Sequence, residues 1–161
     1  MARPARTDGA SDDSSHPARG TSWTHTAQVR RGVYGSLAGA TAWFVTSSAA
    51  LGVPQSIADE LDFCLNELLA NIVDHAFDDD EVHDVHVGLT RDADRVFLTL
   101  EDDGRAFDPI TGDTYVEPAT LDAAGHRGYG IHLVRRFTDE LLYHRSEGRN
   151  SVTVMKRLVH G

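Results

Sequence analysis

Apolar residues recur along this chain at two different spacings, and each change of spacing marks an element. Trp23, His25, Ala27 and Val29 alternate, which predicts a first strand over residues 22–30. Val33, Leu37, Ala40, Phe44, Val45 and Ser48 fall at helical spacing and predict a helix over residues 33–51. Gly52, Val53 and Pro54 stop it. A second helix is expected over residues 56–77, with Ser56 as N-cap and Asp59 and Glu60 in its first turns. Its apolar stripe is Leu61, Leu65, Leu68, Leu69, Ile72, Val73 and Ala76.

Asp78, Asp79, Asp80 and Glu81 form a solvated acidic turn, after which the period changes to two. Val85, Val87, Leu89 and Val96, Leu98, Leu100 read as antiparallel strands joined at residues 91–94. Residues 105–124 hold Pro109, Gly112 and Pro118 with no clean period, and loops of that length are usually lids or binding segments. A third helix starts near Gly128 with Ile131, Leu133, Val134 and Phe137; residues 141–145 and 152–158 close the chain as a hairpin around residues 147–150. The predicted fold is α/β, specifically an α+β two-layer sandwich. It has a mixed, mostly antiparallel sheet with about three helices on one face.

Residues 1–20 have no periodic apolar positions and are expected to be a disordered tail. Residues 21–161 then form a single domain, since 161 residues with 40% hydrophobic content bury one core. The formal net charge is −10, and residues 1–20 contribute none of it, because Arg3, Arg6 and Arg19 offset Asp8, Asp12 and Asp13. So acidic a domain argues against unguided binding to nucleic acid or anionic membrane. Cys64 is the lone cysteine, between Phe63 and Leu65, which excludes an internal disulfide and reads as a buried apolar side chain in a reducing compartment. No run approaches a membrane span and the N-terminus has no signal-peptide core, so a cytoplasmic location is expected.

Three short segments carry candidate chemistry. Glu67 and Asn71 stand one turn apart beside the apolar stripe of the second predicted helix. A carboxylate over an amide oxygen can hold a proton or orient water beside a hydrated cation, although exposed polar pairs share that spacing. Asp102-Asp103-Gly104 ends a strand and serves either as a hairpin turn or as an acceptor for an exocyclic amine such as adenine N6. Gly125-His126-Arg127-Gly128-Tyr129-Gly130 leads into the third helix, where glycines and the helix N-terminus favour phosphate but also suit a plain turn. His83, Asp84 and His86 lie close in sequence, but strand alternation puts His83 on the face opposite Asp84 and His86, which speaks against a zinc site.

In order, Glu-x-x-x-Asn on a helix, Asp-x-Gly after a strand and Gly-x-Gly opening a helix resemble the ATP site of the GHKL superfamily. The run Gly128-Tyr129-Gly130-Ile131-His132-Leu133-Val134-Arg135 is most like the small anti-sigma-factor serine kinases of the RsbW type, and the likeness covers residues 22–158. The resemblance implies a histidine-kinase-like ATPase fold. It implies Glu67 as general base, Asn71 as magnesium ligand, Asp102 with Gly104 for adenine, and Gly128 and Gly130 for the phosphates of ATP. Two positions depart from the pattern: Ala106 replaces a second glycine, and Arg127 replaces the first of a glycine pair, as a phosphate contact or a solvated side chain. The phosphorylatable histidine domain of sensor kinases has no counterpart.

The implied activity is protein serine kinase, moving the ATP γ-phosphoryl to a serine of an anti-sigma antagonist. The implied partners are that antagonist and a sequestered sigma factor, with a homodimer as the implied state. The alternative is a non-catalytic ATP-binding module that regulates a partner by sequestration alone.

Overall fold

A computed structural model describes residues 21–110 and 129–158. The elements run β1 (Thr21–Val29), α1 (Ser36–Ala50), α2 (Gln55–His75), β2 (His83–Arg91), β3 (Arg95–Asp102), α3 (Tyr129–Phe137), β4 (Glu140–Ser146) and β5 (Arg149–Arg157). Among the described residues, five strands form one sheet in the order β1-β2-β3-β5-β4, with each pairing antiparallel. The sheet is therefore the antiparallel form of the sandwich anticipated from the sequence.

Alternation explains which face is buried. Val85, Val87 and Leu89 on β2, Val96, Leu98 and Leu100 on β3, and Val152 and Val154 on β5 all sit in the core. They align across the ladder, with Val87 opposite Leu100 and Leu100 opposite Val152, so one face offers a continuous apolar surface. Helix α2 meets it with Leu61, Leu65, Leu68, Leu69, Ile72 and Val73. A fully buried leucine contributes roughly 1.5–3 kcal/mol, so this stripe secures α2 and whatever polar groups it carries. Cys64 lies within the stripe, and burial pushes its thiol up to about 12, which makes it an inert packing group.

Four local expectations are corrected. Helix α1 begins at Ser36, because Gly32 at φ 71° and an Arg30–Val33 bridge close a turn first. Val33 and Val45, expected inside, are exposed, while Ser47 is buried. Helix α2 begins at Gln55 with Pro54 at its N-cap position and no side-chain cap, so Ser56 lies inside the first turn. Finally, the turn between β4 and β5 is only Glu147 and Gly148, both at positive φ (51° and 74°), the two-residue geometry that suits strand twist. Asn150 consequently belongs to β5.

Candidate functional site

The site is built along one side of α2. Ile72, Val73, Leu68 and Leu69 hold the helix to the sheet, which leaves Glu67 and Asn71 half-buried on the adjacent stripe. Neither side chain has a hydrogen-bond partner among the described residues. Burial alone raises the Glu67 carboxyl above its ordinary range, because a carboxylate without partners loses water and gains nothing in return. Such a group is poised to take a proton, or to meet a cation that restores what burial removed.

Gly130, in the first turn of α3, presses against this carboxylate. A Cβ at residue 130 would lie 1.9 Å from Glu67 Oε2 and 2.7 Å from Cδ. Only glycine lets the start of α3 approach Glu67 so closely.

The other end of the site is the tip of β3. Asp102 is 4% exposed, and its Oδ1 accepts from the Gly104 N–H at 2.9 Å and the Asn150 Nδ2–H at 3.0 Å. Among the described residues none donates to Oδ2. Gly104 is required by space: a Cβ there would stand 2.4 Å from the Ala76 carbonyl oxygen and 2.7 Å from the Ala76 Cβ. The following residue fastens the strand end to the end of α2. Arg105 N–H donates to the Ala76 carbonyl at 2.9 Å, and Arg105 Nε–H donates to the His75 carbonyl at 2.5 Å.

Beside Asp102 and Asn71 lies a narrow cleft with a cavity volume of about 20 Å³. Its walls are apolar (Leu68, Ile72, Leu100, Phe107 and Val152), and the polar groups reaching it are Asn71, Asp102 and Asn150. An apolar slot with few convergent polar groups is what a flat ring with one edge donor requires. Phe107 is held over it by stacking on His75, with ring centroids 5.2 Å apart.

The fold thus brings Glu67, Asn71, Asp102, Gly104 and Gly130 around α2. Gly128 and Arg127 lie outside the described residues. The histidines of β2 do not converge: His83 stacks on Phe77 and contacts Asp79 at 2.6 Å, whereas His86 meets Thr26 at 3.3 Å. Asn150, Arg145, Tyr143 and Phe107 were not anticipated. Asn150 falls in the turn that the sequence pattern predicts, and only a two-residue turn at Glu147-Gly148 puts it opposite Asp102.

A family model described as the histidine kinase-like ATPase domain matches residues 34–156. The chain belongs to that family. ATP is accordingly the ligand the family implies. Serine/threonine-protein kinase BtrW of Bordetella bronchiseptica is 35% identical over 94 residues, which cover 58% of this chain and 66% of that kinase. This member of the family thus spans a little under two thirds of that relative's length. A chain of the SiaB–SiaC complex from Pseudomonas aeruginosa shares the family fold at a TM-score of 0.52 and 16% identity, over 84% of this chain and 89% of that one. Among the described residues no helix is long and apolar enough to cross a membrane.

Proposed function

We propose that this protein is an ATP-dependent protein serine kinase of the anti-sigma type. It transfers the ATP γ-phosphoryl to a serine of a small antagonist protein and sequesters a sigma factor. The observation that carries the reading is the Glu67 carboxylate, half-buried, without a partner among the described residues and pressed against Gly130. A module that only held nucleotide would have no need of a basic carboxylate one helical turn from Asn71. The similarity to a serine/threonine-protein kinase supports the same reaction class, and the complex formed by the fold neighbour supports work through a protein partner.

In this reading Asp102 and Gly104 receive the adenine edge, and Asn71 supplies an oxygen to magnesium. Gly128 and Gly130, with Arg127 beside them, meet the phosphates. Glu67 takes the proton of the serine hydroxyl as its oxygen bonds to the γ-phosphorus and the bond to the leaving ADP oxygen breaks. Magnesium, when bound, neutralises charge developing on the phosphoryl oxygens. The protein works in the cytoplasm as a homodimer, its domain being residues 21–161.

The test is phosphorylation of a candidate antagonist beside nucleotide titration. Glu67→Gln keeps the shape and removes the base, so nucleotide binding survives while transfer falls by about 10²–10⁴. Asn71→Ala weakens magnesium-supported binding as well as transfer. Parental transfer by Glu67→Gln sinks the general-base role. A parent that binds ATP and a sigma factor but phosphorylates no antagonist is a sequestering module instead.

A further inference from the structure

Asp102, Asn150 and Arg145 form one row across three strands: Asp102 is the register partner of Asn150 on β5, which is the register partner of Arg145 on β4. Asn150 is 2% exposed and uses both ends of its amide. Its Oδ1 accepts from Tyr143 Oη–H at 2.6 Å and Arg145 Nη1–H at 2.8 Å. Its Nδ2 donates to Asp102 Oδ1 at 3.0 Å and to the Arg105 carbonyl at 2.8 Å. The same guanidinium nitrogen also donates to the Gly104 carbonyl at 3.1 Å.

This network has one direction. A guanidinium has no acceptor, so the Asn150 oxygen must face Arg145 and its nitrogen must face Asp102. An inverted amide would set donor against donor on one side and oxygen against oxygen on the other. Among the described residues Asp102 is therefore met by donors alone, both of them at Oδ1, and the residue lines the cleft with Oδ2 unbonded. An oxygen fixed in that state accepts from the exocyclic amine of a 6-aminopurine and repels the carbonyl of a 6-oxopurine.

We propose that Asn150, polarised by Tyr143 and Arg145, is a positioning residue that makes Asp102 select 6-aminopurine over 6-oxopurine nucleotides. The inference rests on the ATP reading above. It differs from a role in stapling the hairpin, because a staple affects both base classes alike.

The experiment is calorimetric titration of the full chain with magnesium ATP and magnesium ITP, for the parent, Asn150→Leu and Tyr143→Phe. ITP carries a carbonyl where ATP carries the amine. The parent is expected to prefer ATP. Asn150→Leu lowers ATP affinity by about ten- to a hundredfold, the worth of one oriented bond to a charged group, and leaves ITP within about twofold. Tyr143→Phe keeps the ring, removes one donor to Asn150, and narrows the ATP preference by about two- to fivefold. If Asn150→Leu does not fold, the Tyr143→Phe ratio decides. A parent that prefers ATP, with a preference unchanged in the variants or with both nucleotides weakened in parallel, overturns this inference alone. A parent that binds ATP and ITP equally overturns the adenine reading, and this inference with it.

Discussion

Alanine at residue 104 isolates how the nucleotide end of the cleft is held. Gly104 has no left-handed φ, so the substitution tests space and not torsion. The new Cβ would sit 2.4 Å from the Ala76 carbonyl oxygen, 2.7 Å from its Cβ and 2.9 Å from its carbonyl carbon, against about 3.5–4.0 Å for relaxed contact. The neighbours are backbone and a methyl group, and neither has a rotamer to retreat into. Nor can α2 move away, because Leu69 and Val73 are at 0% exposure in the core. The strand end must therefore lift by on the order of 1 Å, taking the Arg105 N–H off the Ala76 carbonyl.

Forced overpacking costs about 1–3 kcal/mol and the lost backbone bond about 1 kcal/mol more. Together these lower Tm by about 5–12 °C for a chain of this size. Asp102 moves with the strand end, so ATP affinity falls by about tenfold or more. Thermal melting followed by circular dichroism, with ATP titration below the transition, measures both. A Gly104→Ala protein melting within about 1 °C of the parent and binding ATP normally would mean that the loop is not clamped on Ala76.

The same substitution at Gly130 meets the movable end of Glu67, so Gly130→Ala should leave Tm within about 2 °C and lower phosphoryl transfer more than ATP affinity, read from paired kinase and binding assays. Burial raises the Glu67 pKa, so the acid limb of the transfer rate should have its midpoint above the ordinary glutamate value of 4.5, and a limb centred below that value refutes the base assignment. A raised folded pKa gives stability present below the unfolded pKa and lost as pH rises through the folded one. At neutral pH Glu67→Gln should therefore melt slightly higher, by at most about 3 °C because solvent screens a half-exposed carboxylate. Lys156, the only lysine in the chain, donates to Glu60 and to the Phe137 carbonyl at the end of α3; Lys156→Met should cost about 1–2 kcal/mol in denaturant titration, and an unchanged midpoint would remove its tethering role.

The sequence was most readable where period and chemistry agreed. Helix α2 carries a long apolar stripe, and its polar exceptions Glu67 and Asn71 appear as exceptions only because that stripe is regular. The strands β2 and β3 alternate cleanly, which located Asp102 at a strand end. Legibility failed at boundaries and across strands. Val33 extends a helical pattern but closes a turn with Arg30 around Gly32, because one positive-φ glycine outweighs one apolar residue at helical spacing. Asn150 escaped notice for a deeper reason. Its importance lies in standing opposite both Asp102 and Arg145, and register depends on a turn length that one extra residue would change.

Adjacent residues of α2 differ in whether the fold satisfies their polar groups. Asn66 joins two helices, with its amide meeting Thr41 at 3.1 and 3.2 Å and the Asp62 carbonyl at 2.9 Å. Glu67, the next residue, and Asn71, one turn on, have no protein partner among the described residues although both are half-buried. Burying polar groups without partners costs stability, and replacing Glu67 by leucine would ease that cost without disturbing the stripe beneath. On the sheet side the logic is complementary. Asn150, Arg145 and the Asp102 Oδ1 are bonded in one chain, and among the described residues the other Asp102 oxygen has no donor. Among the described residues, partners are thus lacking on the cleft side of α2 and supplied on its α1 side. That asymmetry is what a ligand spanning from Asp102 to Glu67 would make good, and a helix selected for packing alone has no reason to keep it.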